Sequence, residues 1–230
     1  MECLAQSSSP FWVGLQWSVF GIVLFFILAN VRFRRFQNSE FLHMCCGALL
    51  AVLILWRIRY ETDLGLAFHF LGISVLVLVF HWLYATVIGI LACLIGPLIG
   101  VGRFETIPMT ATFVVLIPVA VTLMFLKLER HMNRRLIESQ VKGGQNGNFF
   151  LFIMLPGFLG AGFAIGASML AAFTACWMLN DIAWSSNHSL LLAYLPLIML
   201  PEGIINGMLV SGFVAFWPEK LNAFHEEDYS

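Results

Sequence analysis

The sequence predicts an all-α bundle of about seven membrane-spanning helices, and its composition, segment lengths and charge distribution each support that prediction. Hydrophobic residues (AVILMFWYC) make up 60% of the 230 residues and charged residues only 11%, against roughly 45–50% and about 25% in soluble domains. So little polar surface excludes a soluble enzyme. The formal net charge of −1 excludes a nucleic-acid-binding protein with an extended basic face. We therefore expect membrane lipid to be the main solvent of the chain.

Apolar runs of about 20 residues, the length that crosses a hydrocarbon core roughly 30 Å thick, define the predicted spans. The seven spans are residues 11–31, 41–56, 64–80, 82–99, 107–126, 149–179 and 189–217. The third and fourth are separated by a predicted tight reversal near His81. Residues 64–99 contain no Lys, Arg, Asp or Glu, and a single helix of that length would rise about 54 Å, more than the membrane needs.

The distribution of Lys and Arg tests this count, because these residues accumulate in cytoplasmic loops. With seven spans, nine of the twelve cationic residues fall on one side of the membrane and three on the other. The nine are Arg32, Arg34, Arg35, Lys127, Arg130, Arg134, Arg135, Lys142 and Lys220. The bias predicts a multi-pass protein with an outside N-terminus and a cytoplasmic C-terminus.

A single transmembrane domain is predicted over residues 1–220. The basic cytoplasmic loop, residues 127–147, begins with a helical extension and either fixes the topology or serves as a docking surface. Residues 221–230 are predicted to form an acidic cytoplasmic tail. Small residues at every fourth position of the last two spans predict close helix packing in lipid: Gly162, Gly166, Gly203, Gly207 and Ser211.

Polar residues at membrane depth are costly, so each is a candidate for function. Glu202 follows Pro201 inside the last apolar run. Because Pro201 lacks an N–H group, the helix is predicted to break or kink there. Glu202 then lies at the N-terminus of a second half-helix, with Asn206 on the same face. This pair is either part of a transporter site or a structural cap that pins a neighbouring helix.

The other candidates carry side chains that bind metals. His69 places an imidazole, the commonest metal ligand, in the third span; the alternative is a hydrogen bond to a neighbouring helix. His43, Met44, Cys45 and Cys46 offer donors that suit copper or zinc, although coincidence also explains them. The predicted topology places these four residues on the cytoplasmic side, far in depth from His69.

Several catalytic motifs are absent from the sequence. It contains no G-x-x-x-x-G-K-[ST] loop, so ATP hydrolysis requires another chain. It also lacks the H-E-x-x-H and G-x-S-x-G motifs of metalloproteases and esterases. The chain is therefore not expected to be an enzyme.

Three segments resemble the CbiM-type permeases, which are the membrane substrate-capture subunits of energy-coupling-factor transporters for cobalt and nickel. They are Phe68-His69-Phe70-Leu71-Gly72, Gly102-Arg103-Phe104-Glu105 and Pro201-Glu202-Gly203-Ile204-Ile205-Asn206-Gly207. The ending Phe216-Trp217-Pro218-Glu219-Lys220 is similar to a short bacterial branch of such permeases. The resemblance covers roughly residues 64–220.

This resemblance implies that His69 is a metal ligand, because it matches the histidine of the family's H-L-L-G-like segment. Glu202 matches the Glu-containing segment of the family's final span, and Asn206 lies near a position often held by a small hydroxyl residue. It also implies two partners, an ATPase and a coupling membrane protein, with residues 127–147 as a candidate contact.

The family's chelate of an N-terminal amine and a histidine has no counterpart here, because the sequence reads Met1-Glu2-Cys3. Glu2 and Cys3 are candidate replacement ligands. The expected bound ion is cobalt, nickel or copper.

These observations lead to one hypothesis and two alternatives. The chain is expected to be the substrate-capture permease of an energy-coupling-factor transporter in the bacterial inner membrane, taking up a transition-metal ion or a small metal chelate. Alternatively, it is a non-transporting integral subunit that stabilises a larger membrane complex. The third hypothesis is a copper-handling membrane protein that uses Met44, Cys45 and Cys46.

Overall fold

The computed structural model describes residues 10–61, 67–139, 148–179 and 186–224. Over these ranges the chain forms a helical bundle, as predicted, which we divide into helices α1–α7. Five are single segments: α1 Pro10–Asn30, α2 Ser39–Arg57, α3 Ile73–Phe80, α4 Trp82–Ile95 and α7 Ser186–Phe216. Two are continuous helices of three segments: α5 of Ile107–Thr110, Ala111–Leu116 and Ile117–Ser139, and α6 of Phe149–Phe152, Ile153–Leu159 and Gly160–Leu179.

Short 3-10 turns accompany the helices, at Phe33–Gln37, Gly96–Ile99, Phe104–Thr106 and Pro218–Lys220. The middle segments of α5 and α6 are π-helical and lie near prolines. Pro118 follows the first, and Pro156 lies inside the second. A proline removes a backbone donor, and its ring collides with the carbonyl four residues earlier, so a wider turn relieves the clash. Both helices therefore continue past their prolines.

Six helical segments within the described ranges are long and apolar enough to cross a membrane. The short helix α3 is not one of them, because its eight residues rise only about 12 Å. All eight are buried inside the bundle. The protein is therefore a multi-pass membrane protein in which α3 is a buried helix of less than half the membrane thickness.

An antiparallel pair of strands precedes α3, and the second of these strands lies within the predicted third span. Strand β1, Arg59–Glu61, pairs with strand β2, Ala67–His69, with Arg59 opposite His69. Gly72, at φ +64°, then turns the chain into α3, and a Cβ there would lie 3.1 Å from Leu55 Cδ2. The prediction of a helix over residues 64–80 is wrong for residues 67–72, because an apolar run alone does not separate a strand from a helix.

The predicted reversal at His81 is confirmed. Ile73 and Gly89 lie at equal sequence distances from His81, and a Cβ at Gly89 would be 3.2 Å from Ile73 Cδ1, so α3 and α4 run antiparallel. His81 has φ 76° and ψ 150°, a conformation that strains a residue with a side chain. Among the described residues, no other non-glycine residue has a positive φ.

Close packing of α6 against α7, predicted from their small residues, is also confirmed. A Cβ at Gly162 would lie 3.0 Å from the carbonyl oxygen of Met199, and one at Gly166 would lie 2.8 Å from its Sδ atom. A Cβ at Gly203 would lie 2.8 Å from the carbonyl oxygen of Phe158. Larger side chains would force the two backbones apart.

Arg35, from the first predicted cationic loop, and Arg130, from the described part of the second, both act on His81. We call this end of the bundle, with Arg35, Arg130 and Lys220, the cationic end. Lys220 forms an ion pair with Glu40 at the start of α2, and this interaction raises the pKa of Lys220. The ring of Phe224 lies 5.2 Å from that of Phe152 at the start of α6. Helix α5 continues to Ser139, in agreement with the helical extension predicted at the start of residues 127–147. Residues 140–147 and 225–230 of the predicted loop and tail lie outside the described residues.

Candidate functional site

The carboxylate of Glu202 binds the backbone at the start of α3. Glu202 is 1% exposed, and its Oε2 and Oε1 accept hydrogen bonds from the N–H groups of Leu71 and Gly72, each at 3.0 Å. The first N–H groups of a helix have no partner within the helix, and the helix dipole favours a negative charge beside them. Glu202 therefore satisfies the N–H groups that lead into α3 from a different helix.

Asn206, one turn further along α7, completes this cap. Its Nδ2 donates to Glu202 Oε1 at 2.9 Å and to the Glu202 carbonyl oxygen at 2.8 Å. Its Oδ1 accepts from the N–H of Val75 at 3.2 Å. Both ends of the amide are used, so its orientation is fixed. We call Glu202 and Asn206 the α3 clamp.

The predicted half-helix beginning at Glu202 is wrong. Helix α7 runs through Pro196 and Pro201 from Ser186 to Phe216, and prolines are tolerated in membrane helices where neighbouring groups satisfy the freed backbone. Glu202 instead lies beside the N-terminus of a different helix, α3. The carboxylate thus pins a neighbouring helix, which was the structural alternative considered for it.

The segment after α7 caps the opposite end of α3. The N–H groups of Asn222 and Ala223 donate to the carbonyl oxygens of Val79 at 3.2 Å and Leu78 at 3.0 Å. The last carbonyl groups of a helix lack partners within the helix, just as its first N–H groups do. Helix α7 and its C-terminal extension therefore hold α3 at both ends.

His69, the predicted metal ligand, ends strand β2 close to the clamp. Its Nδ1 lies 3.1 Å from the Phe70 carbonyl oxygen, and its ring centroid is 5.4 Å from that of Trp56, with the planes tilted by 48°. Trp56 Nε1 also donates to the carbonyl oxygen of Leu71 at 3.1 Å. Helix α2, through Trp56, and helix α7, through Glu202, thus hold the residues that follow His69.

The sequence did not identify Trp56 as a site residue. Seven tryptophans are present in the chain, and no local motif separates this one from the others. Its partners become adjacent only when the hairpin folds back against α2.

The predicted cluster His43, Met44, Cys45 and Cys46 is not brought together as a site. Cys45 is buried, whereas His43 and Cys46 are exposed on α2. Within the described ranges, no group of three or more His, Cys, Asp and Glu side chains is arranged to hold a metal ion. Glu2 and Cys3 lie outside those ranges.

A second Glu/Asn pair, which the sequence analysis missed, lies on α5. Glu129 and Asn133 are both buried, and Asn133 Nδ2 donates to Glu129 Oε1 at 3.2 Å. Asn133 Oδ1 accepts from the N–H of Asn148 at 2.9 Å, while Asn148 Oδ1 accepts from the N–H of Phe150 at 3.0 Å and caps α6. We call Glu129 and Asn133 the loop clamp. Its sequence signal is the E-x-x-x-N spacing that it shares with Glu202 and Asn206.

At the cationic end, His81 lies near the positive charges of Arg35 and Arg130. Partial burial, and then the positive charges of Arg35 and Arg130, lower the pKa of His81. The Arg35 guanidinium lies 4.6 Å from the ring centroid of Phe41 and 5.4 Å from that of Tyr84. These cation–π contacts anchor the loop between α1 and α2.

Comparison with known proteins places this architecture in a family. The model of the family CbiM, described as the cobalt uptake substrate-specific transmembrane region, matches residues 7–219. A solved structure described as a truncated transition metal transporter has the same fold, with a TM-score of 0.65 over 87% of this chain and 94% of that chain at 14% identity. No curated protein matches the sequence. The chain therefore belongs to the CbiM family.

Proposed function

We propose that the chain is the substrate-capture component of an energy-coupling-factor transporter and binds a transition-metal ion or a small metal chelate at His69. The observation that carries the proposal is the convergence of α2 and α7 on the backbone beside this imidazole. Burying the carboxylate of Glu202 is costly, and that cost is offset by hydrogen bonds that fix residues 71 and 72. A metal ligand needs such fixed geometry.

The residues have different roles in this proposal. His69 provides an imidazole nitrogen as a ligand, and cobalt, nickel and copper all bind this type of ligand. Glu202 and Asn206 shape the site without ligating the ion, because both carboxylate oxygens of Glu202 already accept backbone hydrogen bonds. Further ligands come from outside the described ranges, where Glu2 and Cys3 remain the candidates.

The proposal includes two partner chains, an ATPase and a coupling membrane subunit. The end of α5 is the proposed contact, because it exposes cationic side chains together with the apolar residues Leu128 and Met132. In this arrangement the cationic end faces the cytoplasm of a bacterial cell.

Melting temperatures of the purified protein with Co²⁺, Ni²⁺, Cu⁺ and Zn²⁺ test the metal site. An ion that binds the folded state at 100 times its Kd stabilises it by about 2.7 kcal/mol. We expect His69→Ala to abolish the shift and His43→Ala, a matched change at an exposed histidine, to retain it. A wild-type protein that responds to none of the ions contradicts the proposal.

A non-transporting membrane subunit is the second candidate function. The observation that favours it is that both Glu/Asn pairs act as locks between segments. In that case His69→Ala and Glu202→Gln lower stability or assembly and leave cellular metal accumulation unchanged, whereas a transporter requires accumulation to fall in His69→Ala.

A further inference from the structure

Trp56 contacts the segment that carries His69 in two ways. Its ring packs against the imidazole, and its indole N–H donates to Leu71, two residues further along the chain. Trp56 and Leu71 are each 4% exposed. Losing the indole N–H would therefore leave the Leu71 carbonyl buried without that donor, which perturbs the peptide between β2 and α3.

The contacts of the imidazole also indicate which nitrogen carries the hydrogen. Nδ1 of His69 lies within hydrogen-bond distance of the Phe70 carbonyl oxygen. A carbonyl oxygen only accepts, so this contact requires an Nδ1–H donor, and a neutral imidazole then carries its lone pair on Nε2. A hydrogen bond from one ring nitrogen to a backbone carbonyl commonly orients a histidine whose other nitrogen binds a metal.

We propose that Trp56 is a positioning residue that holds His69 as the Nδ1–H tautomer. This inference rests on the proposed function for its metal-binding part. The packing of the indole restricts rotation of the imidazole, and the bond to Leu71 fixes the backbone from which the imidazole projects. Trp56 itself does not touch the ion.

Long-range ¹H–¹⁵N NMR of histidine-labelled protein in nanodiscs, at pH 8 and without metal, reads the tautomer directly. His69→Gln identifies the His69 signals among the six histidines of the chain. The wild type should show a protonated Nδ1 and an unprotonated Nε2. Trp56→Phe should give a mixture of tautomers and lower the affinity for Ni²⁺ roughly 10- to 100-fold in calorimetric titration.

Trp82→Phe is the matched control, because Trp82 packs against His81 at a centroid distance of 5.8 Å and a tilt of 42°. It should leave the His69 tautomer and Ni²⁺ affinity unchanged. Trp56→Tyr takes the place of Trp56→Phe if the latter does not fold.

Two results overturn the inference: an Nε2–H tautomer in the wild type, or a folded Trp56 variant whose tautomer and Ni²⁺ affinity match the wild type. A wild type with the expected tautomer that binds neither Ni²⁺ nor Co²⁺ refutes the proposed function instead. In that case the tautomer of the Trp56 variant alone decides whether Trp56 positions His69.

Discussion

The α3 clamp and the loop clamp use the same local chemistry over very different sequence distances. In each, an Asn donates to a Glu four residues earlier and accepts a backbone N–H from another segment. The α3 clamp joins residues separated by 131 positions, whereas the loop clamp joins Asn133 to Asn148, 15 positions apart. The α3 clamp therefore fixes the tertiary arrangement around His69, whereas the loop clamp joins the two helices that flank a loop at the cationic end.

This difference predicts how far damage should spread from each pair. Loss of the α3 clamp should affect α2, α3 and α7 together. Residues 69–75 include the start of α3, and they contact both α2 and α7. Loss of the loop clamp affects only the junction of α5 and α6. The following substitutions test that contrast.

The largest effect is expected for Glu202→Ala. Loss of the carboxylate leaves the N–H of buried Leu71 without its acceptor, at about 1–3 kcal/mol, and the N–H of half-buried Gly72 without its acceptor at a smaller cost. Glu202→Gln keeps one acceptor oxygen and should lie between alanine and wild type in thermal unfolding. An unchanged melting temperature for Glu202→Ala would contradict the capping role.

Gly203→Ala tests whether close packing of α6 and α7 positions the α3 clamp. Its new Cβ would meet the Phe158 carbonyl oxygen at 2.8 Å, so we expect destabilisation of about 1–3 kcal/mol and weaker Co²⁺ binding. Gly212→Ala is the control, since no heavy atom lies within 4 Å of its added Cβ. Equal melting temperatures for the two variants would show that α7 can move away from α6 without loss of stability, and would contradict this prediction.

Asn133→Ala should cost about 1–2 kcal/mol, the scale of a few lost hydrogen bonds. Limited proteolysis between α5 and α6 should become faster, while Co²⁺ affinity stays at the wild-type value. Asn206→Ala, the matched change in the α3 clamp, should weaken Co²⁺ binding. If both variants weaken binding equally, the two clamps are not independent.

The smallest effect is expected for His81→Gly, which relieves the positive φ at the reversal and should stabilise the fold by about 1 kcal/mol. The folded protein lowers the pKa of His81. The stability that neutral His81 contributes is therefore complete above its ordinary pKa of about 6.5 and is lost as the pH falls through the lower folded value. Wild type should lose more stability than His81→Gly on acidification; parallel pH profiles would refute this assignment.

The spans were largely predictable, because crossing a membrane imposes length and apolarity on continuous stretches of sequence. The truncation of α3 was not predictable, because residues 67–72 are as apolar as a helix and owe their conformation to partners on α2 and α7. Glu202 was predictable as a candidate residue, because a carboxylate inside an apolar span is costly to bury. Its partners at Leu71 and Gly72, like the role of Trp56, depend on contacts between distant segments that no local pattern encodes.

X-ray absorption spectroscopy of the Ni²⁺-loaded protein most directly tests the central claim that the imidazole held beside the α3 clamp binds the ion. We expect outer-shell scattering from an imidazole ring in wild type and His43→Ala, and its loss in His69→Ala. Identical spectra for wild type and His69→Ala would contradict it.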